Sequence, residues 1–277
     1  MAVFLSGFAF EKSFFLTNPS EGISFGCQML PIDNPSKVKP VKPGLYLFPV
    51  PLSDNSIELP WLGSEYREIL KSGKLIFAEN ERTARRFISS LKLGIIIDDL
   101  RIEKLNKDTG ILEVNNYAKL IKEYGHALMM SESGCPAVAD PGSVLVDVCH
   151  KLGIDVHPLI GPSSILLALM GSGLSGQSFA FHGYLPVDKN ECGRKIRQLE
   201  IESSREGRTQ IFIETPYRNG SIWNLLIENL SPGTKLCMAI DLTGPKQEIK
   251  QSTVAKWRES AEIKWEKIPA IFLFMAS

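Results

Sequence analysis

The sequence lacks nearly every feature that would place it in a specialised class of protein. Lysine and arginine number 31 and so do aspartate and glutamate, so no overall field attracts the molecule to nucleic acid or to acidic membranes. The five cysteines have no C-x-x-C spacing, which argues against a structural zinc site and favours a reduced, cytoplasmic protein. The four histidines also lack the spacing of metal ligands, and we therefore expect no metal site.

Long apolar segments are absent as well. No run approaches the roughly 18 apolar residues that a membrane-spanning helix needs. The apolar opening is interrupted by Glu11 and Lys12 and has neither the basic start nor the small-residue cleavage site of a signal peptide. Prolines and lysines cluster before residue 44, which predicts an irregular N-terminal arm over residues 1–43. We expect no membrane partner.

The familiar catalytic motifs are missing too: there is no G-x-G-x-x-G, Walker A, G-x-S-x-G or H-E-x-x-H pattern. What the chain does have is a regular alternation of apolar strands and amphipathic helices. Such alternation predicts α/β architecture with right-handed crossovers and a mostly parallel sheet in a first domain, residues 44–165. The segments of this domain are strands at 45–50, 74–78, 127–130 and 155–159 and helices at 61–70, 84–91, 115–124 and 143–152.

The remaining residues, 166–277, predict a second α/β domain, and a chain of 277 residues is long enough for two. Several strands fall near its end, which favours some antiparallel pairing and hence a mixed sheet. A charged stretch at 188–207 is best interpreted as a helix with a solvated face. The other segments are strands at 179–186, 209–214, 235–242 and 268–275 and helices at 165–170, 221–230 and 252–261.

One stretch, Ser131–Gly142, lies between a predicted strand and a predicted helix. Open α/β sheets usually bind their ligands at such a position. The small residues Ser133 and Gly134 would let a ligand approach the backbone. Asp140 is a candidate N-cap of the following helix, and Pro141 suits its first turn. The stretch therefore has the character of a binding loop.

Turns at the strand ends, 49–54, 131–140, 160–164, 214–218 and 241–243, form an ordered set. Ser131–Gly142 is similar to the pattern Ser-Asp-Ala-Gly-Thr-Pro-x-x-x-Asp-Pro-Gly, and residues 78–82 are similar to Ala-Glu-Asp-x-Arg. In these motifs and their order, residues 44–277 resemble the tetrapyrrole (corrin/porphyrin) methylase superfamily of S-adenosylmethionine-dependent methyltransferases. The resemblance implies two α/β domains of that type with the cofactor, S-adenosylmethionine, in the cleft between them.

The resemblance also implies a set of cofactor contacts at the strand ends, many of them through the backbone. These are Pro51, Leu52, Gly134, Cys135, Val138, Ser163, Ser164, Glu214 and Thr243. A hydroxyl acceptor would need a base or a stabiliser of the developing oxyanion. The candidates near the cleft are Glu79, Glu81, Arg82 and Asp241, although each could equally be a helix cap or a surface ion pair.

Within the superfamily the motifs are most similar to members that methylate a ribose 2′-hydroxyl of small-subunit ribosomal RNA. This implies RNA, or the small subunit itself, as the partner and a homodimer as the working form. The superfamily pattern Ala-Arg-Glu-Leu-Thr-Lys, however, corresponds here to Ala239–Gly244, in which the arginine and lysine are absent and Asp241 replaces glutamate. Because such basic side chains would suit RNA phosphates, two alternatives stay open. One is a tetrapyrrole or other small-molecule acceptor, and the other is a paralogue that binds the cofactor without catalysis.

Overall fold

The computed structural model describes residues 40–53, 59–260, 263, 265 and 267–276. The predicted arm, apart from its last four residues, lies outside this part of the chain. The described residues belong to one compact unit that contains two five-stranded sheets. We call the part built on the first sheet the first lobe and the part built on the second sheet the second lobe. No described helix has the length and apolar character to cross a membrane.

The first sheet is entirely parallel, in the order β3-β2-β4-β1-β5, as the alternating pattern predicts. Its central strands β2 and β4 are almost wholly buried, which explains why they are continuous apolar runs. Its elements are β1 Gly44–Leu47, α1 Ser64–Ser72, β2 Leu75–Ala78, α2 Glu81–Ser90, β3 Arg101–Lys104, α3 Ile111–Tyr124, β4 His126–Met130, α4 Gly142–Lys151 and β5 Val156–Pro158, with a 3-10 turn at Ile97–Asp99.

The second sheet is mixed, in the order β6-β7-β10-β8-β9, and the prediction of a mixed sheet is confirmed. Strands β6 and β7 are parallel, and all other neighbours are antiparallel. Its elements are α5 Ser164–Ser172, β6 Phe179–Tyr184, α6 Lys189–Glu206, β7 Thr209–Glu214, α7 Asn219–Asn229, β8 Lys235–Ile240, β9 Glu248–Thr253, α8 Val254–Glu259 and β10 Ala270–Met275.

Strand β9 corrects the sequence interpretation. The sequence predicts a helix at 252–261, whereas a strand occupies Glu248–Thr253 and the helix α8 is confined to Val254–Glu259. The strand lies at the sheet edge, and β8 is its one partner among the described strands. Ile249 is its one large apolar side chain, so its sequence shows no alternation. Helix α5 packs closely over this strand, because a Cβ on Gly171 would lie 2.4 Å from Ile249 Cδ1.

Candidate functional site

A cavity of about 400 Å³ lies between the two lobes. Its first-lobe wall is formed by residues that follow β1, β2, β4 and β5, whose carboxyl ends share one edge of the parallel sheet. Its second-lobe wall is formed by residues at the ends of β6, β7 and β8 and at the start of the antiparallel β10. The volume is in the range of small-molecule sites, and the edge is the one at which α/β sheets bind ligands.

The loop Ser131–Asp140 forms the centre of the first-lobe wall. Gly134 makes two backbone hydrogen bonds with Val50, of 3.0 and 3.2 Å, so the loop is joined to the segment after β1. Gly134 has a φ of +74°, and a Cβ there would lie 3.0 Å from Leu52 Cδ2 and 3.2 Å from the carbonyl oxygen of Pro162. Both the backbone conformation and the space therefore require glycine.

The second half of the same loop is fixed by Asp140. Its Oδ1 accepts hydrogen bonds from the backbone N–H of Ala137 (2.9 Å) and of Gly142 (2.7 Å). Between these points Ala137 and Ala139 have φ values of +63° and +61°. The predicted N-cap is displaced by one residue: Pro141 occupies the N-cap position, and Asp140 caps from just outside the helix. Such strained non-glycine residues persist where the surrounding structure holds them, typically at functional sites.

Cys135 is a free, partly buried thiol whose side chain faces the neighbouring loop. Its Sγ lies 3.3 Å from the carbonyl oxygen of Pro162 and 3.7 Å from that of Gly161. Burial raises the pKa of this thiol, so the protonated form is favoured. A protonated thiol is a poor nucleophile, and the residue contributes to the cavity through its position in the loop.

Two buried carboxylates face the cavity from the second lobe. Glu214 Oε1 accepts a hydrogen bond from the N–H of Thr215 (2.7 Å). Its Oε2 lies 3.3 Å from Arg218 Nη1, outside hydrogen-bond alignment, and among the described residues it has no hydrogen-bond partner. Asp241 Oδ2 accepts a hydrogen bond from the N–H of Lys246 (2.8 Å). Glu214 thus keeps one oxygen available to a ligand donor.

The conformation of Asp241 depends on the absence of a side chain at Gly244. Asp241 has a φ of +47°, and its carboxylate folds back over the turn that follows β8. A Cβ on Gly244 would lie 2.2–2.3 Å from the Asp241 carboxylate atoms. A lysine at position 244 would therefore displace the carboxylate. The two departures from the superfamily pattern, aspartate for glutamate and glycine for lysine, belong to one structural arrangement.

The cavity is strongly acidic. Of the described residues that line it, none is lysine, arginine or histidine, and five are carboxylates, namely Glu79, Glu132, Asp140, Glu214 and Asp241. Burial raises the pKa of Glu79, and repulsion from Glu132 and Asp140 raises it further. Burial also raises the pKa of Asp140, although its two backbone hydrogen bonds oppose this. The remaining walls are largely apolar, so the cavity suits a cationic ligand with an apolar body.

Most of the site residues that the sequence suggests come together at this cavity. Nine of them line it, namely Leu52, Glu79, Gly134, Cys135, Val138, Ser163, Ser164, Glu214 and Asp241. Ser163 is also the N-cap of α5, as its Oγ accepts from the N–H of Leu166 (3.5 Å).

Four suggested residues lie elsewhere. Pro51 lines a neighbouring cavity of about 390 Å³, because the chain turns between Pro51 and Leu52. Thr243 is exposed, and its N–H donates to Gln247 Oε1 (2.7 Å). Glu81 pairs with Arg85 (2.8 Å) on the surface of α2, because Asn80 caps this helix and starts it at Glu81. Arg82 is exposed on the same helix, outside the lining of the cavity.

The structure also adds residues that the sequence analysis does not name. Phe181, Tyr184 and Ile213 line the cavity from β6 and β7, and Ala270 and Ile271 line it from the start of β10. Strand β10 runs antiparallel to its neighbours, so its first residues, and not its last, reach the cleft. The strand direction would have to be known before these residues could be identified.

No family model matches the chain. It is similar, however, to several proteins named ribosomal RNA small subunit methyltransferase I. The one from Buchnera aphidicola subsp. Baizongia pistaciae is 30% identical over 76% of this chain and 67% of its own length. The one from Vibrio cholerae is 28% identical over 77% of this chain and 70% of its own. The one from Thermotoga maritima is 28% identical over 68% and 79%.

Among solved structures, the chain is similar in fold to the methyltransferase CobJ. The TM-score is 0.51 at 17% identity, and the match covers 78% of this chain and 88% of the other. The two lobes, their sheets and the cleft between them are therefore a known arrangement. With these relatives, the chain belongs to the family of ribosomal RNA small subunit methyltransferase I, within the tetrapyrrole methylase superfamily.

Proposed function

We propose that this protein transfers a methyl group from S-adenosylmethionine to a ribose 2′-hydroxyl of small-subunit ribosomal RNA. The observation that carries the proposal is the acidic cavity between the lobes, at the edge where the parallel strands of the first sheet end. Membership of a methyltransferase family supports the reaction class, and the names of its relatives support the substrate.

The residues of the cavity fit the cofactor chemically. S-adenosylmethionine carries a sulfonium and an ammonium group against one carboxylate, so it is a net cation, and five carboxylates line the cavity. The buried Oε2 of Glu214, which has no hydrogen-bond partner among the described residues, can accept from an ammonium or hydroxyl group. Apolar residues such as Leu52 and Ile271 suit an adenine ring.

The cofactor supplies an electrophilic methyl group, so the protein mainly has to align the acceptor and receive its proton. Glu79 and Asp241 line the cavity from opposite lobes. The raised pKa of Glu79 makes its carboxylate a stronger base than an ordinary glutamate, and we assign it the role of proton acceptor. Asp241, held by the N–H of Lys246, is assigned a positioning role.

The charge of the cavity also bears on the acceptor. A tetrapyrrole with many carboxylates would meet the five carboxylates of the cavity, which disfavours the small-molecule alternative. An RNA strand can present one ribose to the cleft while its phosphates remain outside. We further propose that the protein works in the cytoplasm and as a homodimer, as the resemblance to the superfamily implies.

The test uses small ribosomal subunits from a strain in which the gene for this protein is deleted. Purified protein and radiolabelled S-adenosylmethionine should place one methyl group on a ribose of the small-subunit RNA, which nucleotide mapping identifies. An unlabelled subunit together with measurable cofactor binding would support the non-catalytic alternative. Transfer to a tetrapyrrole but not to RNA would support the small-molecule alternative.

A further inference from the structure

The second lobe carries an exposed aromatic surface beside the mouth of the cleft. Its large side chains are Tyr184, which is 60% exposed, Val187, which is 80% exposed, and Tyr217, which is 78% exposed. We call these three residues together with Lys267 the aromatic rim. Large apolar side chains gathered on one exposed surface next to a cavity are typical of a binding surface.

The arrangement of the strand ends places the residues of the aromatic rim close to one another. Strands β6 and β7 are parallel neighbours, so the turns that follow them lie side by side. Arg218 Nη2 donates to the carbonyl oxygen of Pro186 (3.1 Å), which joins the two turns directly. The same arginine lies 3.3 Å from the buried Glu214, so the turn that carries Tyr217 is anchored at its base.

The rim adjoins the cavity itself. Tyr184 lines the cavity, and so do Thr215 and Pro216, the two residues that precede Tyr217. A ligand that extends from the cavity along the second lobe would therefore meet the Tyr217 ring.

The charge changes sign between the cavity and the rim. Carboxylates line the cavity, whereas Lys267 Nζ lies 5.1 Å from the centroid of the Tyr217 ring. This distance is within the range of a cation–π interaction, which holds the cation next to the ring. An aromatic ring with a neighbouring cation is the combination that proteins use to bind a base and a phosphate of single-stranded nucleic acid.

We propose that the aromatic rim binds an unpaired nucleotide next to the ribose that is methylated. In this arrangement the base stacks on Tyr217, and Lys267 contacts the adjoining phosphate. The inference rests on the proposed function for its substrate, and it identifies the part of the protein that recognises the RNA. It also accounts for an RNA enzyme with an acidic cleft, since the cationic contact lies outside the cavity.

The experiment compares four variants with the wild-type protein: Tyr217→Ala, Tyr217→Phe, Lys267→Gln and, as a control, Lys235→Gln. Lys235 is an exposed lysine at the start of β8, at the end of that strand away from the cavity. The measurements are KM and kcat for small subunits, the affinity for a single-stranded oligouridylate, the salt dependence of that affinity, and the affinity for S-adenosylhomocysteine.

Tyr217→Ala should raise KM and weaken oligouridylate binding by about tenfold. Tyr217→Phe should keep the wild-type KM and affinity, because stacking needs the ring and not the hydroxyl. Lys267→Gln should reduce the slope of log affinity against log salt by about 0.7, the value for one phosphate contact on a single strand. Lys235→Gln should leave that slope unchanged. The affinity for S-adenosylhomocysteine should be the same in all five proteins.

The two proposals can fail separately. If the wild-type protein does not methylate subunits but binds oligouridylate through Tyr217, the proposed function is wrong, and the rim is still supported as a surface that binds single-stranded nucleic acid. If it methylates subunits and neither Tyr217→Ala nor Lys267→Gln changes KM, affinity or salt slope, the rim proposal is overturned. An equal loss of S-adenosylhomocysteine affinity in Tyr217→Ala, with an unchanged salt slope in Lys267→Gln, would indicate a structural role and would also overturn it.

Discussion

The two walls of the cleft are built in different ways. The first-lobe wall is mainly backbone: Gly134 is bonded to Val50, and Asp140 holds a turn through two N–H groups. The second-lobe wall presents side chains, above all the buried carboxylates of Glu214 and Asp241. The first wall should therefore tolerate changes of side chain but not an added Cβ, whereas the second should respond to any change that moves a carboxylate.

Glu79 tests the comparison most severely, because it is a side chain on the backbone-built wall. Glu79→Gln should lower kcat by about a hundredfold if this carboxylate accepts the proton. It should also remove the acidic limb of the pH–rate profile. Glu81→Gln is the matched control, since Glu81 pairs with Arg85 on the surface of α2 and its loss should leave kcat unchanged.

The same substitution has a predictable effect on stability. The pKa of Glu79 is raised in the folded protein, so its neutral form is favoured, and its contribution to stability is lost as the pH rises through that pKa. Glu79→Gln should therefore be more stable than the wild-type protein near neutral pH, and the difference should disappear at acidic pH. Urea denaturation across pH measures this, and a Gln variant that is less stable at neutral pH would contradict the account.

Gly134→Ala tests the first wall directly. It should weaken the binding of S-adenosylhomocysteine by more than about tenfold, because the new Cβ meets Leu52 and the carbonyl of Pro162. Gly94→Ala is the control, as Gly94 has a φ of +76° and open space around its Cβ position. Both variants should lose about 1 kcal/mol of stability through backbone strain. Calorimetric titration measures the affinity for S-adenosylhomocysteine. Equal losses of this affinity in the two variants would show that the contact at Gly134 is unimportant.

Gly244→Ala tests the second wall through a residue that does not line the cavity. The added Cβ would displace the Asp241 carboxylate and break its hydrogen bond to Lys246 N–H. We expect kcat/KM to fall by about fivefold, equivalent to the net value of one hydrogen bond. Gly176→Ala, at a position where a Cβ has open space, should have wild-type kinetics. Unchanged kinetics in Gly244→Ala would remove Asp241 from the mechanism.

Cys135→Ala should have the smallest effect. The thiol contacts the carbonyls of Gly161 and Pro162, and the loop is held by Gly134 and Asp140. The affinity for S-adenosylhomocysteine should stay within about twofold of the wild-type value, a difference well below the net value of one hydrogen bond. A loss of tenfold would mean that the first wall depends on its side chains as the second does.

The same contrast explains what could be predicted from the sequence. The loop Ser131–Asp140 is recognisable because its backbone is dictated by local residues, Gly134 and Asp140 among them. Strand β9 is not recognisable, because it is stabilised by its pairing with β8 and carries a single large apolar residue. The relation of Gly244 to Asp241 likewise depends on a fold-back that no local pattern specifies.

The positions of Pro51 and Thr243 show a second limit of what the sequence can predict about the site. Both lie next to a residue that lines the cavity, Leu52 and Leu242 respectively. A motif places a turn correctly along the chain, but which residue of the turn faces a ligand depends on backbone angles such as the φ of +68° at Thr243.

A crystal structure with bound S-adenosylhomocysteine tests the central claim most directly. We expect the ligand to lie between the backbone of Gly134–Val138 on one side and Asp241–Leu242 on the other, with one of its hydrogen-bond donors at Glu214 Oε2. A ligand bound at full occupancy outside this cavity would contradict the assignment of the cofactor site. So would a cleft that is filled by side chains while the ligand is bound elsewhere.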